Sequence, residues 1–392
     1  MKDIFPGGNS SLNELTEANG LLFFRATDAT HGSELWKSDG TAAGTVLVKD
    51  IDIEPMGSSN PGSLTNVNGL LFFWATDATH GSELWKSDGT AAGTVLVKDR
   101  PTGGMDPEYL TNVNGTLFFS GMTDNDGEEL WESDGTDSGT VLVKDIYPGN
   151  SSSPRGLTAI GSLLFFSADD GIHGRELWRS DGTASGTGMV HDVGFSSLDS
   201  LPDNITQNGP TILFSATESL IGRELWISLL GYGARLVKNI NPEVPDWADS
   251  NPDFLTECGG TVYFAATKSD DVTERELWKT DGTEAGTVMV KNINPAPGAS
   301  SNPTDLICMG GMVYFSANDG VHDTELWVSD GTEAGTTMVK DLNPSGYSNP
   351  RNFVNANGTL YFTTPNPIRD ELWKCEEEFP WEIFLPAFIH RD

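Results

Sequence analysis

The tripeptide Glu-Leu-Trp recurs along the whole chain at a nearly constant interval. It occurs eight times in 392 residues, and successive copies are 46 to 52 residues apart. A period of this length is typical of repeat proteins, in which each unit folds as one supersecondary element and buries its core against its neighbours. Chain length alone would suggest two or three unrelated domains. The repeat is the stronger evidence about how the chain is organised. The eight glutamates are Glu34, Glu83, Glu129, Glu176, Glu224, Glu276, Glu325 and Glu371.

Each repeat contains four strand signals, which are clearest in the second copy. Leu64–Val67 precedes an Asn-Gly pair, a strong hairpin signal. Residues 70–75 are almost all apolar, which predicts a strand buried on both faces. Glu83–Ser87 and Val95–Lys98 follow, with an Asp-Gly-Thr turn between them. Four antiparallel strands in about 48 residues match the period of a β-propeller blade.

We therefore predict an all-β fold: an eight-bladed β-propeller with four antiparallel strands per blade, spanning residues 1–375. The last repeat loses its pattern at Cys375, and the chain begins with Lys2–Phe5, which resembles the end of a fourth strand. Pairing this N-terminal strand with the last blade would close the ring and remove two exposed sheet edges. The fifth repeat has Ile227–Gly233 in place of Asp-Gly-Thr, so we expect its last hairpin to differ in shape.

The charge of the chain limits its partners. Its formal net charge is −34, which disfavours nucleic acid and anionic membrane surfaces because both are polyanions. Cations, basic partners or simple solubility fit better. No stretch approaches the roughly 20 apolar residues of a membrane span. No leader precedes the first repeat material, which fits either a secreted protein whose leader was removed or a cytosolic protein.

The long motif around each Glu-Leu-Trp resembles the signature of the bacterial ELWxxDGT-repeat family. The segments Glu34–Thr41 and Glu325–Thr332 both show it in full, and the likeness covers nearly the whole chain up to Cys375. The resemblance implies a secreted or cell-surface location and a propeller-like repeat, and it implies no particular chemistry. The fifth and eighth repeats depart from the signature at Asp-Gly-Thr.

The glutamate and tryptophan of each Glu-Leu-Trp point to one face of their strand, because side chains alternate between faces. We interpret the tryptophan as packing between neighbouring sheets. A buried carboxylate beside this tryptophan needs a partner. The second repeat offers Lys98, and the other repeats have Lys or His at the same place, so we predict a Glu–Lys pair. These structural positions include Glu34, Trp36, Glu83, Trp85, Glu129, Trp131, Glu176, Trp178, Glu325 and Trp327.

The loop before Glu-Leu-Trp is acidic in most repeats, which raises calcium as a cofactor. Short Asp/Asn runs ending in Gly can surround Ca²⁺ with oxygen ligands. The same residues also suit an ordinary turn, and no loop matches the complete twelve-residue calcium pattern. The Asp124–Glu129 loop is the best single candidate. The candidate ligands are Asp124, Asp126, Glu129, Asp169, Asp170 and Asp319.

Two further motifs have mainly structural interpretations. The Asp-Gly-Thr turns resemble Asp-box hairpins of glycan-handling propellers, but their simpler role is local hydrogen bonding. Histidines lie three residues before four of the glutamates; we expect a role in the loop, with metal ligation or proton transfer as the alternative. No Ser-His-Asp arrangement, phosphate loop or Cys/His cluster is visible, so no catalytic residue is predicted. The histidines are His31, His80, His173 and His322.

The cysteines and the C-terminus complete the inventory. Cys258, Cys308 and Cys375 form an odd, sparse set without metal-ligand spacing, which favours buried thiols. Residues 376–392 form an apolar tail that either folds back on the propeller or docks into a partner or a second copy.

The sequence thus predicts a non-catalytic, extracellular or cell-surface binding or assembly module that presents repeated loop and groove sites. Its partners would be proteins or glycans at the cell exterior, with self-association through the tail as a further option. One alternative is a multivalent carbohydrate-binding lectin, because similar blades would repeat one small site. The other is a glycan-active hydrolase or lyase with an acidic site at the channel mouth.

Overall fold

A computed structural model describes residues 2–100, 103–125, 127–242, 249–268, 274–344, 346–356, 358–365 and 371–376. Eight antiparallel sheets account for all the regular structure in these ranges, which contain no helix. The strands of each sheet follow one another in chain order. The fold is therefore the predicted eight-bladed β-propeller, and each sheet is one blade. The chain divides into two compact units, residues 1–192 and residues 193–392.

The first unit contains four blades of four strands each. Blade 1 has β1 Asn13–Ala18, β2 Leu21–Asp28, β3 Gly32–Ser38 and β4 Val46–Lys49; blade 2 has β5 Gly62–Val67, β6 Leu70–Asp77, β7 Gly81–Ser87 and β8 Val95–Lys98. Blade 3 has β9 Glu108–Val113, β10 Thr116–Met122, β11 Glu128–Ser133 and β12 Val141–Lys144; blade 4 has β13 Arg155–Ile160, β14 Leu163–Asp169, β15 Arg175–Ser180 and β16 Gly188–His191.

The second unit contains blades 5 to 8. Blade 5 has β17 Asp203–Asn208, β18 Thr211–Glu218, β19 Gly222–Leu229 and β20 Tyr232–Lys238; blade 6 has β21 Asp253–Cys258, β22 Thr261–Thr267, β23 Arg275–Thr280 and β24 Val288–Lys291. Blade 7 has β25 Thr304–Met309, β26 Met312–Asn318, β27 Thr324–Ser329 and β28 Thr337–Lys340; blade 8 has β29 Arg351–Ala356, β30 Thr359–Thr364 and β31 Glu371–Glu376.

Closure of the ring by strand exchange stays a prediction. Lys2–Phe5 does not form a strand, and the described part of blade 8 has three strands. The start of the chain does contact blade 1: Lys2 Nζ donates to the Thr45 carbonyl at 2.9 Å and lies 5.4 Å from the centre of the Trp36 ring. The predicted C-terminal tail lies outside the described residues, apart from Glu376 at the end of β31.

The core lies between neighbouring blades, because the second and third strands of each blade are apolar on both faces. Leu35 of blade 1 packs with Phe73 and Trp85 of blade 2 in one buried cluster. Leu130 of blade 3 packs with Trp178 of blade 4 in the same way. The tryptophans therefore fill the space between adjacent sheets, as predicted.

The first strands of successive blades are joined by threonine hydroxyls. Each first strand contains a β-bulge, and its second residue has a positive φ, as at Glu14 (φ 56°). Two residues later, Thr16 Oγ1 donates to the Leu64 carbonyl of the next blade at 3.0 Å, and Thr256 Oγ1 donates to the Leu306 carbonyl at 3.2 Å. Thr65, Thr111 and Thr206 make equivalent bonds.

The last hairpin of blade 5 differs from the others, as predicted. Its strands β19 and β20 are longer, and a two-residue turn at Leu230-Gly231 replaces the Asp-Gly-Thr turn. Both turn residues have positive φ, 44° and 83°, which suits the twist of a tight hairpin. Thr211, Ile227, Tyr232 and Arg235 line an open cavity of about 370 Å³ beside it.

The prediction that all three cysteines are buried thiols is wrong for two of them. Cys258 of β21 and Cys308 of β25 form a disulfide, with Cα atoms 5.4 Å apart. Their strands are the neighbouring first strands of blades 6 and 7, so residues one repeat apart come within bonding distance. Cys375 is partly buried and lies outside this disulfide.

Candidate functional site

The glutamate of Glu-Leu-Trp holds the connector, the segment that runs from the fourth strand of one blade to the first strand of the next. Glu276 is fully buried and accepts hydrogen bonds from Ile293 N (2.9 Å), Ser301 N (3.1 Å) and Ser301 Oγ (2.6 Å). Glu34 accepts equivalent bonds from Ile51 and Ser59. Glu34 and Glu276 therefore each tie both ends of a connector to the blade.

Burial raises the pKa of these glutamates, although the connector donates hydrogen bonds to them. The pKa reaches about 7 for Glu34, Glu83 and Glu224. It is also raised for Glu129 and Glu276, again mainly by burial. Loss of water around the carboxylate favours its neutral form and outweighs the bonds that favour the charged form.

The predicted Glu–Lys pair is wrong. Lys49 is opposite Leu35 in the strand register, so it lies on the other face of the sheet from Glu34. Its Nζ instead reaches the next blade, where it donates to the Thr94 carbonyl at 2.8 Å and lies 5.6 Å from the Trp85 ring centre. Lys144 and Lys291 make equivalent contacts. These lysines therefore link neighbouring blades, whereas the glutamates bind the connectors.

The serine of the connector provides a test of the glutamate contact. Ser301→Ala removes a buried hydroxyl that donates to a carboxylate, and we expect unfolding free energy to fall by about 2 kcal/mol. Urea unfolding of the full chain measures this change. The control is Ser219→Ala at an exposed position, where a change within about 0.5 kcal/mol is expected. Equal effects of the two substitutions would contradict the role given to Ser301.

The Asp-Gly-Thr turns are local structures, as predicted. Asp39 Oδ1 accepts from the Thr41 amide (2.9 Å) and hydroxyl (2.7 Å), and Gly40 has a φ of 90°. The hydroxyl and amide of Thr41 lower the pKa of Asp39. The same bonds recur at Asp88, Asp134, Asp181, Asp281 and Asp330.

The geometry gives the calcium prediction no support. Glu129 points inward and accepts bonds from Ile146 and Ser152, and Asp124 pairs with Arg100 at 3.1 Å. Asp126 lies outside the described residues. The carboxylates of Asp169, Asp170 and Asp319 accept bonds from amides of their own loops. Within the described ranges, no group of three or more His, Cys, Asp or Glu side chains is arranged to hold a metal ion.

The four loop histidines each pair with an aspartate three residues earlier. His31 Nδ1 lies 2.8 Å from Asp28 Oδ2, and the His173–Asp170 distance is 2.7 Å. The hydrogen bond to the aspartate raises the pKa of His31. No hydroxyl or thiol of the described residues is hydrogen-bonded to these rings, so the pairs lack the nucleophile of an acyl-transfer site.

The first strands of neighbouring blades lie side by side within each unit and carry an excess of acidic residues. Their sequences contain seven acidic residues, two arginines and no lysine. Exposed apolar side chains lie among them, including Leu15, Tyr109 and Val354. The sequence did not indicate this surface, because the net charge of the whole chain does not show which strands carry the acidic residues. The acidic residues are Glu14, Glu17, Glu108, Asp203, Asp253, Glu257 and Asp305.

Solved structures similar to this chain are propeller domains. The β-propeller domain of the trilobed protease from Pyrococcus furiosus is 10% identical, with 98% of this chain and 100% of that chain covered and a TM-score of 0.46. A structure from a study of two prolyl endopeptidases is 13% identical to this chain, with a TM-score of 0.49. The match covers 96% of this chain and 50% of the chain in that structure. Prolyl oligopeptidase B from Galerina marginata is 11% identical, at 93% and 54% coverage and a TM-score of 0.47.

This chain spans about half the length of the last two proteins, and the likeness concerns the fold. No protein-family model matches the sequence. No curated protein matches it either. Among the described residues, no helix is long and apolar enough to cross a membrane.

The predicted function, a non-catalytic surface binding or assembly module, is overturned by this comparison. The propellers that match the fold belong to peptidases, which are enzymes. The physical reason for the error is that a propeller serves both binding and catalytic proteins, so the repeat alone selects neither.

Proposed function

We propose that this propeller is the substrate-handling domain of a peptide-cleaving system, and that its first strands bind cationic polypeptide segments for a separate catalytic domain. The observation that supports this is the acidic excess on those strands. Side-by-side carboxylates attract arginine and lysine side chains and disfavour acidic ones. Exposed Leu15 and Tyr109 between the carboxylates add contacts for apolar side chains of the same segment.

The pairing of Arg155 shows how a guanidinium fits this surface. Arg155, on β13, lies 5.3 Å from the centre of the Tyr109 ring and 3.7 Å from Glu108, both on β9 of the neighbouring blade. The aromatic face and the carboxylate on this first strand add to the main ion pair of Arg155, which is with Glu128 of β11. An arginine of a bound peptide would be recognised by the same combination of groups.

The catalytic step is assigned to a separate domain or to a partner. In the part of the chain that the structure describes, the Asp–His pairs have no nucleophile hydrogen-bonded to them, and Glu276 is occupied by its connector. The disulfide supports a location in an oxidising compartment, such as the cell exterior, because cytosolic thiols are usually kept reduced. The proposal therefore keeps the predicted extracellular or surface location.

Peptide binding is the direct test. A fluorescent octapeptide of alternating arginine and alanine should bind the full chain, and its glutamate–alanine counterpart should not. Replacing Glu14, Glu17 and Glu108 together by glutamine, all exposed on first strands of the first unit, should weaken binding roughly tenfold, since each exposed charge contributes roughly 0.5 kcal/mol. Fluorescence anisotropy at physiological salt measures both results.

The matched control makes the same change in net charge elsewhere. Glu54, Glu284 and Glu333 are exposed and lie outside the first strands, so replacing them together by glutamine should leave the affinity within about twofold. An equal loss in both triple variants would show that overall charge, rather than the first strands, attracts the peptide. Cleavage of the peptide by the chain alone, seen by mass spectrometry, would contradict the assignment of catalysis to another domain.

A further inference from the structure

We propose that the open cavity beside the last hairpin of blade 5 binds a small molecule that carries one carboxylate on an apolar body. The site is separate from the acidic first strands, so the proposal does not depend on peptide binding. The cavity has a volume of about 370 Å³, which is at the small end of the range for ligand sites. The lining residues that carry the argument are Thr211, Ile227, Leu229, Tyr232 and Arg235.

The cavity lies where blade 5 departs from the repeat. In blades 1, 2 and 6, a lysine of the third strand donates to the glycine carbonyl of the next blade's Asp-Gly-Thr turn, as Lys279 Nζ does to Gly331 at 2.8 Å. Blade 5 has Ile227 at this position. Arg235 of the fourth strand makes the contact instead, with its Nη2 3.1 Å from the Gly282 carbonyl oxygen. The cation has therefore moved to the fourth strand, where it borders the cavity.

Arg235 supplies a positive charge without a carboxylate partner. Its printed hydrogen bonds go to neutral carbonyls, those of Gly282 and Leu236. Among the residues that the structure describes, no Asp or Glu carboxylate lies within 4.0 Å of this guanidinium. Asp281, next to Gly282, has its Oδ1 bonded to the amide and hydroxyl of Thr283. The guanidinium therefore keeps donors for a carboxylate, whose planar geometry it matches.

The walls of the cavity favour an apolar body. Leu229 and Tyr232 are opposite each other across the two-residue turn, and their side chains are 58% and 70% exposed. An apolar ligand that covers them removes this surface from water. Ile227 adds a buried apolar side chain to the lining, and the Thr211 hydroxyl already donates to the Asn208 carbonyl.

The charges around the site limit the ligand to one carboxylate. Arg235 is the single basic residue among those that line the cavity. The net charge of the chain is −34, which repels anions in proportion to their charge. A monocarboxylate gains the contact with the guanidinium at the smallest cost in repulsion, so we expect nucleotides and other multiply charged anions to bind more weakly.

A fluorinated monocarboxylate tests the proposal. The probe is para-fluorophenylbutyrate, observed by fluorine NMR in the presence of the full chain at physiological salt. Its signal should broaden, with a Kd of about 1 mM for a ligand of this size. The corresponding amide has the same apolar body without the charge, and it should bind about fivefold more weakly.

Two variants separate the charge from the walls. Arg235→Gln should weaken binding of the carboxylate about fivefold and leave the amide unchanged, so that the two probes bind alike. Tyr232→Ser should weaken both probes by the same factor, because it removes apolar wall and no charge. The control is Lys340→Gln, which makes the same change in net charge at an exposed lysine of blade 7. It should leave both affinities unchanged.

Three results would overturn the proposal. The first is that neither probe binds with a Kd below about 10 mM. The second is that the amide binds the unaltered chain as tightly as the carboxylate. The third is that Arg235→Gln and Lys340→Gln weaken the carboxylate equally, which would assign its binding to net charge. Circular dichroism confirms that each variant is folded.

Discussion

Reduction of the Cys258–Cys308 disulfide is expected to lower the free energy of unfolding of the second unit by about 4 kcal/mol. The two cysteines are 50 residues apart, and a cross-link closing a loop of that length removes about 4 kcal/mol of chain entropy from the unfolded state. The bond joins the first strands of blades 6 and 7, which otherwise meet through hydrogen bonds such as Thr256 to Leu306. Urea unfolding with and without dithiothreitol measures the change.

Matched variants separate the bond from other effects of the reductant. Replacing Cys258 and Cys308 together by serine should reproduce the loss and abolish the response to dithiothreitol. Replacing Cys375, the partly buried cysteine outside the disulfide, should preserve that response. If alkylation and mass spectrometry show both cysteines reduced while the unfolding curve is unchanged, the disulfide does not stabilise the junction between these blades.

The fold was predictable because its signals repeat. The Glu-Leu-Trp period predicts the length of one blade, and the apolar run before it predicts the buried second strand. Asn-Gly and Asp-Gly pairs predict the turns. Each signal is local, so one repeat predicts the others. The departure at Ile227–Gly233 also predicted a different hairpin in blade 5, because a tight two-residue turn needs residues that accept positive φ.

The contacts between repeats were less predictable. The alternation of side chains along a strand places Glu34 and Trp36 on one face of β3. It does not show where the connector passes, so Ser59 could not be identified as the hydrogen-bond partner of Glu34. The disulfide could not be predicted from the sequence for a related reason. Cys258 is the last residue of β21, whereas Cys308 is the fifth of six in β25. This offset by one position suggests opposite faces.

The functional prediction failed because nothing in the repeat is specific to a reaction. The features that suggested sites, namely acidic loops and Asp-Gly-Thr turns, are largely used for local hydrogen bonds, as at Asp39 and Asp170. The acidic first strands carry no motif, since their residues differ from blade to blade. Their common feature, exposed charge on adjacent strands, becomes visible only once the strands are assembled.

Stability of the chain should be greatest in mildly acidic solution and should fall as the pH rises from about 5 to about 8. Burial raises the pKa of Glu34, Glu83 and Glu224 to about 7, from 4.5. Between these values the folded state binds more protons than the unfolded state, so its stability decreases with rising pH. A shift of this size corresponds to at most about 3 kcal/mol for each glutamate, and three of them give a fall of several kcal/mol.

Below about pH 5, stability should instead decrease as the pH falls. Hydrogen bonds from threonine lower the pKa of Asp39 and Asp88 below 3.8, so the stability they contribute is lost as the pH falls through those lowered values. Carboxylates of both kinds therefore place the maximum near pH 5. Urea unfolding between pH 4 and pH 8, with EDTA present to remove metal ions, locates it.

Glutamine variants test whether the buried glutamates cause the slope. Replacing Glu34, Glu83 and Glu224 together by glutamine removes the titrating groups, so the fall in stability between about pH 5 and pH 8 should largely disappear. The same change at exposed Glu54, Glu284 and Glu333 should leave it intact. Stability that is constant or rising over this range in the unaltered chain would mean that the buried glutamates stay ionised, and that the connector's hydrogen bonds outweigh the loss of water around them.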